Sequence, residues 1–253
     1  MDTVTSADGT TIAYEAAGSG HPIVFVGGAF NDHTRLAPLA GALAGDFTVI
    51  GYDRRARGQS GDTRPYAVQR EVEDLAAVLD TVGGRAAVFG YSSGGILALL
   101  AATTLPVTHL FLYEVPFGLP ADPTLAGRLD ELIRQDRPGD AVALFQTEGI
   151  GLPPQMVAQI RNSPMFPALE AIAQSTVYEA TLTSEYAVPT PAMSMVDVPA
   201  LVLTGADTWP ALTAAAKSAP VGRHVEVPGA ENHDIPVPET GTIVRDFLTV
   251  NNP

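Results

Sequence analysis

An apolar run, Ala87-Val88-Phe89, enters Gly90-Tyr91-Ser92-Ser93-Gly94, and an Ala/Leu-rich stretch, Ile96-Leu97-Ala98-Leu99-Leu100, leaves it. Read as a strand, a sharp turn and a helix, this segment holds a serine at the tip of a sheet strand and aims its hydroxyl out of the fold. Gly90 and Gly94 suit places where neighbouring backbones come too close for a Cβ. The serine between them has to adopt a strained conformation. With 24 glycines in 253 residues, the pentapeptide alone carries little weight; its meaning comes from what surrounds it.

The surroundings alternate strand and helix. Thr3–Ser6 and Thr11–Glu15 flank Asp8-Gly9 and read as a hairpin. Pro22–Val26 is a continuous apolar run, suited to a strand buried on both faces of a parallel sheet. Gly27-Gly28-Ala29-Phe30-Asn31-Asp32-His33 follows, with a helix expected over Thr34–Ala44 and a strand over Phe47–Tyr52. Val68, Val72, Leu75, Val78 and Leu79 recur at helical spacing within Tyr66–Val82. After the Ser92 turn come a strand over His109–Tyr113, a strand over Ala200–Thr204, a helix over Trp209–Ser218, a strand over His224–Val227 and a closing helix over Glu239–Leu248. This rhythm predicts an α/β fold with a mostly parallel sheet flanked by helices.

Residues 115–198 break the rhythm. Helical pieces over Leu125–Arg134, Asp140–Thr147, Pro154–Arg161 and Ala168–Tyr178 are separated by Pro-rich joints, so the segment is expected as a helical insertion with structure of its own. The core then comprises 1–114 and 199–253. Phe117, Phe145, Met156, Met165, Phe166, Tyr178, Met193 and Met195 supply apolar material to the insertion, chiefly for its own core and in part for a pocket wall.

Composition removes several function classes. The net charge of −14 disfavours nucleic acid and anionic membrane surfaces as partners. No cysteine is present, so disulfides, thiolate metal sites and a cysteine nucleophile are excluded. The histidines are not paired at metal-ligand spacing, and neither Gly-x-Gly-x-x-Gly nor a P-loop occurs, so no metal or nucleotide cofactor is expected. Met1–Ser6 lacks a basic and then apolar leader pattern, and no apolar run is long enough to span a bilayer; a cytoplasmic protein acting on a small molecule is the expectation.

Gly90-Tyr91-Ser92-Ser93-Gly94, the segment Tyr52-Asp53-Arg54-Arg55-Ala56-Arg57-Gly58-Gln59-Ser60 and His233 after the last strand together resemble the α/β-hydrolase superfamily. The resemblance covers nearly the whole chain and puts residues 115–198 where that family places its cap or lid. Small bacterial members usually have glycine at the position of Ala56. Tyr52–Pro65, Ser92–Leu100 and Tyr113-Glu114-Val115-Pro116-Phe117 are similar to a subgroup of small actinobacterial α/β hydrolases.

The resemblance implies a catalytic triad in the order Ser…Asp/Glu…His. Ser92 is the expected nucleophile; a serine needs a neighbouring base to take its proton. Of His21, His33, His109, His224 and His233, only His233 stands where the fold places that base. Two carboxylates fit as the orienting acid. Asp207 follows the penultimate strand but stands only two residues after Gly205, and Glu114 follows the strand after the elbow. The oxyanion hole is expected from the amide of Ser93 and that of Ala29, or of Phe30 if the loop is shifted by one. Phe30, His33 and Tyr91 are the positions expected at the substrate, although His33 fits a helix-start surface residue equally well. Arg54, Arg55 and Arg57 read more naturally as a structural cluster tied to Asp53 and to carbonyls near the elbow than as an anion site. An uncharged ester, lactone or thioester is the expected substrate class. Acyl transfer, C–C cleavage, lyase or cyclase chemistry and a non-catalytic binding module are the alternatives.

Overall fold

The computed structural model describes residues 1–250. An eight-stranded sheet runs in the order β1 (Asp2–Thr5), β2 (Thr11–Gly18), β4 (Thr48–Tyr52), β3 (Pro22–Val26), β5 (Ala86–Tyr91), β6 (Val107–Tyr113), β7 (Ala200–Asp207), β8 (Arg223–Glu231). β1 and β2 pair antiparallel, β2 joins β4 antiparallel, and every later pairing is parallel. The sheet is the α/β-hydrolase sheet expected from the sequence.

The apolar runs alternate faces at period two. Val24, Val26, Ile50, Val88, Leu110, Leu112 and Val202 join one core with helices α2 (Val68–Asp80) and α3 (Ser93–Ala101). Ile23, Phe25, Phe89, Phe111, Leu201 and Leu203 join the other with α1 (Ala37–Leu43) and α11 (Val237–Val250). Helices cover both faces, which is why these strands have no polar side.

Between β6 and β7 lie α4 (Leu125–Arg134), α5 (Pro138–Leu144), a π-helical turn (Phe145–Gly149), α6 (Pro154–Arg161), α7 (Phe166–Ala171), α8 (Gln174–Tyr186) and α9 (Pro191–Ser194); α10 (Pro210–Lys217) follows β7. The helix expected over Asp140–Thr147 is α5 widened by the π-turn. The one expected over Ala168–Tyr178 divides at Ile172-Ala173 into α7 and α8. The expected Thr34–Ala44 helix is a 3₁₀ turn, His33–Arg35, and then α1 with Pro38 in its first turn. Of the apolar residues assigned to this segment, Phe117, Phe145, Phe166, Tyr178 and Met193 are buried, whereas Met156, Met165 and Met195 are exposed.

The three arginines after β4 are buried. Arg54 grips Glu71 of α2 with Nε and Nη2 at 2.6 and 2.8 Å, and Glu179 of α8 with Nη1 at 2.6 Å. Arg55 grips Asp74 of α2 at 2.7 and 2.8 Å and Asp8 at 3.0 Å. Tyr66 donates to Glu71 at 2.8 Å and stacks on Tyr178, ring centroids 3.8 Å apart. Burying such charges is tolerable only when each finds its partner. Burial alone would push the Glu71 carboxyl up, but Arg54 holds it below its ordinary value.

Two outcomes follow for Glu71. Glu71→Ala leaves Nε and Nη2 of the buried Arg54 without their carboxylate and should cost roughly 3–5 kcal/mol in urea unfolding. A carboxyl depressed in the folded state contributes stability above its unfolded value and loses it as pH falls. The wild-type urea midpoint should therefore drop on acidification below the usual carboxylate range, and less steeply in Glu71→Gln.

Candidate active site

The carboxyl ends of β5, β6 and β7 meet at one point. Ser92 ends β5 with φ 55° and ψ −130°. Its amide donates to the Tyr113 carbonyl of β6 at 2.9 Å. Close packing explains the glycines around it. A Cβ on Gly94 would lie 2.3 Å from the Val26 carbonyl oxygen, and one on Gly90 would lie 2.5 Å from the Gly95 Cα. The loop after β3 presses on the serine, for a Cβ on Gly28 would stand 2.8 Å from the Ser92 Cβ. Ser92 is half-buried, so its side chain stays accessible.

Glu114 ends β6, also in the left-handed region at φ 49°, and is fully buried. Its amide donates to the Leu203 carbonyl at 2.8 Å, and its Oε1 accepts the Gly205 amide at 2.9 Å. The other carboxylate oxygen, Oε2, takes a short hydrogen bond from Nδ1 of His233. That contact fixes which ring nitrogen faces the acid and leaves Nε2 turned away from it. The Ser92 hydroxyl makes no hydrogen bond to His233; contacts of this kind often tighten only around a substrate.

Asp207 is not at the histidine. β7 continues through a bulge between Gly205 and Asp207 and pairs Asp207 with Glu231 of β8, leaving the aspartate exposed. The sequence reading placed a loop there; the strand is longer. Gly205 has its own reason to lack a side chain, since a Cβ would lie 2.5 Å from Ala230 Cβ and 3.2 Å from Glu114 Oε1.

The histidine loop is held from several sides. Tyr91 stacks on the His233 ring at 4.8 Å, and its hydroxyl donates to the His233 carbonyl at 2.5 Å. Tyr113 donates to the Asp234 carbonyl at 2.7 Å. Arg35 reaches Asp234 Oδ1 at 2.8 Å and lies over the Tyr91 ring. Trp209 also stacks on the imidazole, ring centroids 5.7 Å apart. Tyr91, expected at the substrate, is thus buried and engaged with the histidine loop. His33 is engaged elsewhere, with its Nδ1 and backbone amide both 2.8 Å from Asp53 Oδ1 in the turn after β4. Nothing local in the sequence marks Arg35, Trp209 or Gly205 as neighbours of the histidine or its carboxylate.

The amides of Ala29 and Ser93 flank the serine, one in the loop pressed against it and one as the first residue of α3. Neither donates to another group among the described residues, and a first-turn amide has no intrahelical acceptor. Phe30, at φ 58°, leans its ring on Phe145 of the π-turn at 5.6 Å. Arg54, Arg55 and Arg57 face carboxylates and loop carbonyls. Among the described residues no three His, Asp or Glu side chains converge as metal ligands, and no helix is long and apolar enough to cross a membrane.

A strained serine on a strand-to-helix turn and a carboxylate-bound histidine thus stand at the same end of the sheet. Residues 18–240 match the model of the alpha/beta hydrolase family, and the chain belongs to that family. Its structure is similar to that of an alpha/beta hydrolase from Sphaerobacter thermophilus, 43% identical with a TM-score of 0.89 over 98% of this chain and 100% of that one. An esterase from Thermogutta terrifontis shares the fold at 24% identity and a TM-score of 0.75, over 100% of this chain and 99% of that one. 3-Oxoadipate enol-lactonase 1 of Acinetobacter baylyi is 32% identical over 99 residues, 38% of this chain and 37% of that one. The matches to curated relatives span only 35–37% of those proteins' lengths.

Mutating the two carboxylates separates them. Glu114→Gln should slow labelling of Ser92 by a fluorophosphonate on the order of 10²–10⁴-fold, as removal of an orienting acid does. Asp207→Asn should stay within about 2-fold of wild type, the range of a surface change.

Proposed function

We propose that the protein hydrolyses an uncharged ester, lactone or thioester through an acyl-enzyme on Ser92. The observation that carries this reading is the hydrogen bond from His233 Nδ1 to the buried Glu114, beside a serine at φ 55°. Ser92 Oγ attacks the acyl carbon while His233 Nε2 takes its proton. Glu114 orients the ring and balances the charge that the imidazole gains. The carbonyl oxygen becomes an oxyanion facing the amides of Ala29 and Ser93; one such donor contributes about 3 kcal/mol to lowering the barrier. His233 returns the proton to the leaving group, and water, deprotonated by the same imidazole, releases the acid.

The esterase and enol-lactonase named above support the substrate class by kinship. The engagement of Arg54, Arg55 and Arg57 with carboxylates supports an uncharged acyl group, because no side chain of that cluster is left over for an anion. The motif likeness to small actinobacterial hydrolases adds nothing to the choice of substrate. Residues 115–198 would act as the lid over the core formed by 1–114 and 199–253. Phe30 packing against Phe145 supports that division. The strongly acidic chain favours a small molecule over a polyanionic partner.

Short p-nitrophenyl esters test the reading. Wild type should give a burst of nitrophenol stoichiometric with enzyme and an acyl adduct on Ser92 by mass spectrometry. Ser92→Ala should lose at least ~10³-fold of the rate, the scale of a missing triad member. Fluorophosphonate labelling without ester turnover would redirect the assignment to transfer, lyase or cyclase chemistry, and no labelling of folded protein would reject it.

A further inference from the structure

We infer that Arg57 is a positioning residue for the oxyanion hole, held in place by Glu179 of α8. The inference rests on the acyl-enzyme reading above and extends it to the group that aims one of the two amides.

Nη1 of Arg57 donates to the Gly28 carbonyl oxygen at 2.9 Å. That carbonyl and the Ala29 amide belong to one peptide unit. In a trans peptide the C=O and N–H point in opposite directions within one plane. Fixing the oxygen on one side therefore aims the hydrogen on the other. The loop at this point lies against the nucleophile, since a Cβ on Gly28 would stand 3.4 Å from Ser92 Oγ. A cation on the oxygen also polarises the amide and makes its N–H a stronger donor in a buried setting. Arg54 treats the preceding peptide alike, donating to the Gly27 carbonyl at 3.1 Å, while the Gly28 amide is held by Asn31 Oδ1 at 3.1 Å.

The pose of Arg57 points the same way. Its Nε is buried without a partner, a costly arrangement for a donor. A bidentate pair with Glu179 would satisfy Nε, yet Glu179 Oε2 is likewise buried without a partner. Arg57 is fixed instead by Nη1 on Gly28 and by Nη2 on Glu179 Oε1 at 2.5 Å. The same Oε1 accepts from Arg54 at 2.6 Å, so one carboxylate oxygen clamps both guanidinium groups that grip the loop. Glu179 lies in the helical segment 115–198, which ties the hole to the seating of that segment.

An aryl trifluoromethyl ketone carrying ¹³C at its carbonyl reads this directly. Ser92 Oγ bonds to that carbon, its proton passes to His233, and the carbonyl oxygen becomes the hemiketal oxyanion, whose pKa follows from ¹³C NMR. Rates on a p-nitrophenyl ester are expressed per site titrated by the ketone, so unfolded protein does not count. Arg57→Gln should lower kcat by about 10–100-fold, with KM within about 3-fold and the hemiketal pKa raised by about one unit, less than the loss of a whole donor. Arg57→Lys keeps the charge and spares the fold but lacks the fork, and should fall between. Glu179→Gln should shift both readouts in the same direction. Wild-type kcat and hemiketal pKa in folded Arg57→Gln or Arg57→Lys would overturn the role of Arg57 while leaving the acyl-enzyme reading intact. Failure of the wild-type protein to form the hemiketal would instead overturn that reading, and this inference with it.

Discussion

A serine at φ 55° is held there only by its neighbours. Such a conformation costs on the order of 1–3 kcal/mol and persists only where the surroundings over-determine it. Gly28 of the β3 loop presses on Ser92, the Tyr113 carbonyl of β6 accepts its amide, the Gly95 amide donates to its carbonyl, and Gly94 packs against the Val26 and Gly27 carbonyls. The central strands must be this close for the turn to exist, and the same closeness lets Glu114 at the end of β6 meet His233 and sets the Gly28 loop against Ser92. Phe30, Glu114 and Asn232, each with positive φ, stand around the same point. Strain is concentrated where the chemistry is proposed, while the two cores on either side of the sheet supply the stability that offsets it.

The elbow and the order of strands and helices were legible in the sequence because they depend on local signals: glycine spacing, unbroken apolar runs and helical periodicity. His233 was legible for a similar reason, as a histidine just beyond the last strand. The carboxylate behind it was not. Choosing Glu114 over Asp207 depends on a bulge in β7 and on a non-glycine residue entering the left-handed region, and neither leaves a trace in propensity. Tyr91 sits inside the motif itself, yet its contact with His233 spans 142 positions of sequence. The arginine cluster was recognisable as structural from its richness, but its carboxylate partners lie at Asp8, on α2 and on α8, the last 122 residues beyond Arg57. Helix boundaries in the insertion moved because the π-turn and the break before α8 follow from packing rather than periodicity.

The buried charges give the molecule a second level of organisation. Arg54 and Arg57 link the loop after β3, helix α2 and helix α8 through fixed, directional contacts. Hydrophobic packing would hold these parts together but would not set their orientation, because it is nearly non-directional. Whether polar contacts confer such specificity depends on the protein. Here the contacts end on backbone carbonyls of the loop beside Ser92.

Trp209, the single tryptophan of the chain, lies nearly parallel to the His233 ring, with an interplanar angle of 15°. Its indole is partly exposed and touches the imidazole that is assigned the proton. The protein therefore carries its own optical probe: its indole emission comes from one residue, stacked on the histidine whose charge would change during turnover. Stopped-flow fluorescence can follow the histidine loop without any added label.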